Sequence, residues 1–182
     1  MFGHGKSKPR SQTDRELAQR VRDVVPDRVK SALQKRPDSH CADQCLCHNL
    51  TKKRVAKLVK QFSDGTTRKT NAVYVLECQM KFVTQKVVRE ELRLQNDVSW
   101  IDDAQENRRL VYVGVSTVVP NRLWKHAVGN GDGANFTQMF PPTRLLSIQW
   151  FERESDAYRA EELTAEILAK ETHDGIYISQ PG

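Results

Sequence analysis

The chain has 182 residues, 38% hydrophobic and 29% charged. This suits one domain with an addition and lies outside the disordered, collagen-like and disulfide-scaffold classes. Its 29 Lys and Arg against 23 Asp and Glu give a formal charge of +6. The longest apolar run, Ala72 to Leu76, is far shorter than the roughly 18 residues a membrane helix needs, and Met1 to Arg10 is basic and polar, so a soluble, cytoplasmic protein without a membrane partner is expected.

The charge is unevenly spread. Residues 1–70 hold 17 basic and 7 acidic side chains, against 12 and 16 in residues 71–182. A basic region beside a mildly acidic body is the distribution expected of a protein that grips phosphates, which points to nucleic acid as partner. Residues 1–70 are therefore read as a basic helical region and residues 71–172 as the body, with an insert at about 79–109 and a tail at 173–182.

Thr13 and Glu16 have capping-box spacing and open a helical stretch from Asp14 to Val24, which Pro26 is expected to divide into two short helices. Three thiols and two imidazoles follow within nine residues, from His40 to His48. Cys41, Cys45, Cys47 and His48 could suit Zn2+ chemically, but they lack the separated pairs that wrap a tetrahedral ion, so a reduced turn is the alternative. Thr51 to Phe62 reads as an amphipathic helix on Val55, Leu58, Val59 and Phe62. Its other face carries Lys52, Lys53, Arg54, Lys57 and Lys60, a candidate phosphate surface or simply a solvated one.

From residue 72 the texture changes to β-branched and aromatic runs, Ala72 to Cys78 and Leu110 to Val115, short enough for strands. Between them Gln85 to Gln95 suits a helix and Asn96 to Asn107 a polar loop. Pro120 to Val128 suits a helix, Gly129 to Gly133 its stop, Leu145 to Phe151 a third strand, and Asp156 to Lys170 a last helix capped by Ser155. The expected fold is α+β, a small three-stranded, mainly antiparallel sheet flanked by helices.

Strand alternation puts Tyr74, Leu76 and Cys78 on one face and Val73 and Val75 on the other, and Tyr112 and Gly114 opposite Val111 and Val113. With the valines on the core, both tyrosines look out from the opposite side. Gly114 would let a backbone or ligand approach the sheet, and Arg122 and His126, four residues apart, share a helix face. A guanidinium can hold a phosphate with a two-pronged fork, and an imidazole can move protons near neutral pH. Cys78 reads as a small buried hydrophobe.

This order of parts resembles the GIY-YIG nuclease superfamily. Ala72-Val73-Tyr74 stands for the first motif, Tyr112-Val113-Gly114 for the second, and Asn121 to His126 for the helix with Arg and His. Pro141 to Leu146 resembles the start of the third strand, and Ser155 to Glu161 the start of the last helix with the family's metal-binding Glu at Glu161. The resemblance implies a divalent-metal-dependent endonuclease acting on DNA. In it Glu161 would hold one Mg2+ or Mn2+, Arg122 would bind the scissile phosphate, Tyr74 or Tyr112 would help deprotonate water, and His126 would assist. Ala72 replaces the first Gly, the insert is long, and Val115 stands where several relatives carry Lys. Two other functions are weighed: a catalytically weak binding module of the same fold, and a zinc-containing DNA-binding regulator built on residues 40–60. Gly175-Ile176-Tyr177 spells the family tripeptide but is read as coincidence, and Gly5-Lys6-Ser7 lacks the room for a phosphate-binding loop.

Overall fold

Two hydrophobic layers, one on each face of a single sheet, organise the molecule. A computed structural model describes residues 10–34, 46, 51–62, 71–80, 83–92, 100–107, 109–128, 135–171 and 177–179. The central strand β1 (Asn71–Cys78) pairs antiparallel with β2 (Leu110–Ser116) on one side and β3 (Pro142–Phe151) on the other. A short β4 (Tyr177–Ser179) adds to β2 in parallel, giving the order β3-β1-β2-β4. The three-stranded antiparallel sheet expected from the sequence is thus present, with a fourth strand at its edge where only a tail was expected.

One layer holds Val73, Val75, Val111 and Val113 beneath two long helices, α1 (Asp14–Gln34) and α7 (Glu154–Glu171). Leu17, Val21, Val25 and Val29 of α1 meet Ala157, Ala160 and Leu168 of α7 there. The opposite layer holds Tyr74, Leu76, Cys78, Leu110 and Tyr112. It is covered by α2 (Lys52–Phe62), α3 (Gln85–Leu92), α4 (Trp100–Asn107), α5 (Val119–Val128) and α6 (Asn135–Met139). Both N-terminal helices therefore belong to the body's core: α1 lies on the valine layer and α2 on the tyrosine layer.

The local signals explain most of these elements. Thr13 and Glu16 form the reciprocal capping box, with Glu16 accepting from the Thr13 N–H at 2.8 Å and Thr13 Oγ1 accepting from the Glu16 N–H at 3.2 Å. Thr51 caps α2 through the Arg54 N–H at 3.2 Å, and Thr84 caps α3 through the Val87 N–H at 3.3 Å.

Four expectations are corrected. Pro26 does not divide the first helix: α1 runs 21 residues through it. Removing one backbone hydrogen bond is offset by the burial of Val21, Val25, Pro26 and Val29 along one stripe. The segment read as a polar loop contains α4, because Ile101 and Ala104 bury completely against the tyrosine layer. The last helix starts earlier than Ser155, its first turn being closed by the Ala157 N–H to the Arg153 carbonyl at 3.1 Å. And the tyrosine face is covered, so Tyr74 and Tyr112 are 1% and 2% exposed instead of facing solvent. The cluster Cys41, Cys45, Cys47 and His48, the loop Gly129 to Gly133, and Gly175 and Ile176 lie outside the described residues.

Side chains tie the outer strand to α1. Arg20 donates to the Trp150 carbonyl at 2.9 Å and lies over the Phe151 ring at 4.5 Å, Arg28 donates to the Ile148 carbonyl at 3.5 Å, and Arg144 of β3 donates to the Ala32 carbonyl at 2.8 Å. Ser11 and the Gln12 N–H donate to the buried Asp156 at the start of α7, which joins the beginnings of the two long helices. Among the described residues no helix is long and apolar enough to cross a membrane.

Candidate active site

Gly114 is where the site begins. It pairs with Tyr74 across β1 and β2, and Tyr112 stands two residues before it on the same face. A Cβ at Gly114 would lie 2.8 Å from ring carbons of both tyrosines. Real Cβ atoms do not come that close, so only glycine leaves room for two phenols side by side. The space that the sequence suggested for an approaching ligand is taken by the rings themselves.

Helix α5 supplies the next two groups from one face. His126 is 1% exposed, and its Nε2 lies 2.9 Å from the Tyr74 hydroxyl. Its Nδ1 lies 2.5 Å from Oγ1 of Thr137 on α6. The two tyrosine rings flank the imidazole, each with its centroid 5.9 Å away, and Phe136 stacks on Tyr112 at 5.3 Å. Arg122, one turn before His126 and half-buried, hydrogen-bonds the Tyr74 phenol.

The fifth group comes from the other layer. Glu161 is 6% exposed, while its neighbour Glu162 is exposed and ion-paired with Arg159, as the 100° step of a helix requires. The Glu161 carboxyl accepts a hydrogen bond from the Val115 N–H on β2. The pairing of β4 with β2 ends at Tyr112, so the strand edge at Val115 has no partner strand among the described residues, and the carboxyl takes that place. Glu161 Oε1 is buried without a partner.

The electrostatics bind these groups into one cluster. Burial pushes the Tyr74 phenol far above its usual range; the neighbouring Tyr112 adds to this and Arg122 opposes it. Burial and the Glu161 charge raise Tyr112, again against Arg122. Burial, reinforced by the Arg122 charge, lowers His126 to about 4, so its imidazole is neutral at pH 7. Burial and the Glu162 charge raise Glu161 to about 7, against the pull of the Val115 N–H.

All five residues assigned from the sequence, Tyr74, Tyr112, Arg122, His126 and Glu161, thus meet around Gly114. Thr137 was missed because a five-residue helix gives no periodicity to read. The nearest signal is Phe136 and Phe140, one turn apart. Cys78 is 4% exposed, and burial followed by the Glu77 charge raises its thiol well above the usual range, so it packs as a small apolar residue. On α2 the ammonium of Lys52 lies 4.6 Å over the Trp124 ring of α5, while Lys53 and Lys57 are exposed and Arg54 is half-buried. The basic face therefore adjoins the helix that carries Arg122 and His126.

A single divalent ion is compatible with Glu161. A buried carboxylate oxygen without a partner is costly, and a hard cation is one group that would satisfy it. No group of three or more His, Cys, Asp or Glu side chains able to hold a metal occurs among the described residues, so an ion here would take its other ligands from water and substrate. Set against protein-family models, curated proteins and solved structures, the chain finds no match in any of the three.

Proposed function

We propose that the protein is a divalent-metal-dependent endonuclease that hydrolyses phosphodiester bonds in DNA, with Mg2+ or Mn2+ held by Glu161. The observation that carries the reading is the unpartnered, buried Glu161 oxygen in the same cluster as a guanidinium and two phenols. The order of parts in the sequence, which resembles that of GIY-YIG nucleases, supports it as well.

Each protein group has work suited to its chemistry. Arg122 can hold the scissile phosphate with its planar guanidinium fork. The Tyr112 hydroxyl makes no hydrogen bond to another described residue, whereas the Tyr74 hydroxyl is engaged by Arg122 and His126, so Tyr112 is the phenol available to the attacking water. Its own proton would first pass to bulk solvent, and the phenolate so formed would take one from the attacking water and end as the neutral phenol. The bond from water oxygen to phosphorus then forms as the bond to the leaving oxygen breaks, and the leaving oxygen takes up a proton from solvent. A divalent ion held by Glu161 would neutralise charge on the phosphate oxygens and would make water or a phenol easier to deprotonate. Exposed Lys53 and Lys57 would carry the flanking backbone by sequence-independent attraction.

The burial of both phenols favours one rival, a module of the same fold that binds nucleic acid and cleaves it weakly. Incubation of the purified chain with linear, nicked and branched DNA, in Mg2+, Mn2+ or EDTA, separates the two. Metal-dependent cleavage is expected, with Glu161→Ala and Arg122→Ala each lowering the rate by at least about a hundredfold. Arg122→Lys should not restore it, since an ammonium lacks the planar fork. Binding without cleavage in every metal would leave the rival standing, and full activity in Glu161→Ala would remove the proposal.

A further inference from the structure

We infer that Thr137 is a positioning residue: it fixes the tautomer of His126 and, through the buried chain Thr137, His126, Tyr74, sets how the Arg122 guanidinium is held. The inference rests on the nuclease reading for its consequence in catalysis, but its geometry stands without it.

The protons can be placed by elimination. A guanidinium has donors only, so the Tyr74 oxygen must accept from Arg122. The Tyr74 phenol keeps its own proton at neutral pH, and that proton needs an acceptor, because the residue is 1% exposed. The one acceptor the described residues offer is His126 Nε2, at 2.9 Å. If Nε2 carried the ring proton, it would donate to the same phenol oxygen and leave the phenol proton stranded. The neutral imidazole therefore holds its proton on Nδ1 and donates it to Thr137 Oγ1 at 2.5 Å. Both His126 and Thr137 are buried, at 1% and 0% exposed. Polarity thus runs one way, from the imidazole proton inward to Thr137, and from the phenol proton to the imidazole. The phenol oxygen is left open for Arg122.

Replacing the Thr137 hydroxyl with a methyl group would leave the Nδ1 proton facing hydrocarbon. The imidazole then prefers the other tautomer, Nε2–H points at the Tyr74 oxygen, and it competes there with Arg122.

The test uses the full chain with its histidine rings labelled with 15N. Long-range proton–nitrogen spectra at pH 7 are recorded for the wild type, Thr137→Val and Thr137→Ser. The signals of His126 are picked out among the five histidines by their absence in His126→Gln. The wild type is expected to show a protonated Nδ1 and a bare Nε2, Thr137→Val the reverse or a mixture, and Thr137→Ser the wild-type pattern. With DNA as substrate, Thr137→Val should cleave about ten- to a hundredfold more slowly, and Thr137→Ser should recover most of the rate. A protonated Nε2 in the wild type, or an unchanged pattern in a folded Thr137→Val, overturns the inference. If Thr137→Val does not fold, Thr137→Ala takes its place, and the wild-type spectrum alone can still refute the assignment. A protein that cleaves nothing yet shows these tautomers loses the nuclease reading and keeps Thr137 in its role. The converse result, cleavage with the tautomers reversed, separates the two failures.

Discussion

The two faces of the sheet are built from the same strands, residue by alternate residue, and they do different things. On one face Val73, Val75, Val111 and Val113 join one apolar cluster with side chains of α1 and α7, beside Ser147 and Gln149 of β3. On the other face Tyr74 and Tyr112 meet an aromatic ring, an imidazole and a guanidinium, and the imidazole in turn meets a threonine hydroxyl. This mainly apolar, dry layer holds the strands by close packing, with Gln149 of β3 donating to the Arg20 carbonyl of α1 at 2.9 Å, and the polar cluster inherits that rigidity. Glu161 belongs to a helix of the dry layer but reaches the end of β2, so the site forms where the layers meet.

This division can be tested from either side, and the dry layer should show the largest effect on stability. Leu168→Ala, at a fully buried position of α7, should lower unfolding free energy by about 2–5 kcal/mol in denaturant titration while the His126 tautomer stays as it is. A changed imidazole spectrum would mean the two faces are not independent. Gly114→Ala should cost less, about 1–3 kcal/mol, because the new methyl must push apart two rings at 2.8 Å. The same substitution should also disturb both tyrosine signals in NMR, and a neutral outcome would contradict the close fit.

A third comparison uses pH. His126 falls to about 4 in the fold from an ordinary 6.5, so the unfolded chain binds the extra proton in that window and stability should rise with pH across it. Glu161 rises to about 7 from 4.5, so the folded chain binds the extra proton there and stability should fall with pH between those values. Each slope is at most about 1.4 kcal/mol per pH unit, and between about 4.5 and 6.5 they oppose each other. In metal-free buffer, Glu161→Gln should therefore steepen the rise of stability with pH in that range, and His126→Gln should turn it toward a fall. Parallel profiles for the two variants would count against the buried state of at least one group.

The smallest expected effect lies at the surface. Lys53→Ala with Lys57→Ala should weaken DNA binding and reduce the slope of log affinity against log salt by up to about 2, leaving thermal stability nearly unchanged. An unaltered slope would detach α2 from the nucleic-acid surface.

Much of this arrangement can be read from the residues. The alternation in Ala72 to Cys78 and Leu110 to Val115 separates the faces, and the stripe Ala160, Leu163, Thr164, Ile167 and Leu168 makes one side of α7 bury. Helical rotation then turns Glu161 inward and Glu162 out. What escapes the sequence depends on contacts distant along the chain. Trp100, Ile101 and Ala104 sit in a polar stretch and become helical by packing on the tyrosine layer. Pro26 is carried through α1 by burial that no local propensity reports. The closeness of Gly114 to two rings, and of Thr137 to His126, appears only once three or more segments are assembled.

The arginines that α1 lays along β3 have a consequence for the molecule among its own copies. A border strand with bare carbonyls invites another strand to dock and extend the ribbon, the first step toward fibrous aggregates. Here the outward carbonyls of Ile148 and Trp150 are already occupied by Arg28 and Arg20. The cationic clasp makes that border self-limiting, so crowding at high concentration should not propagate through it.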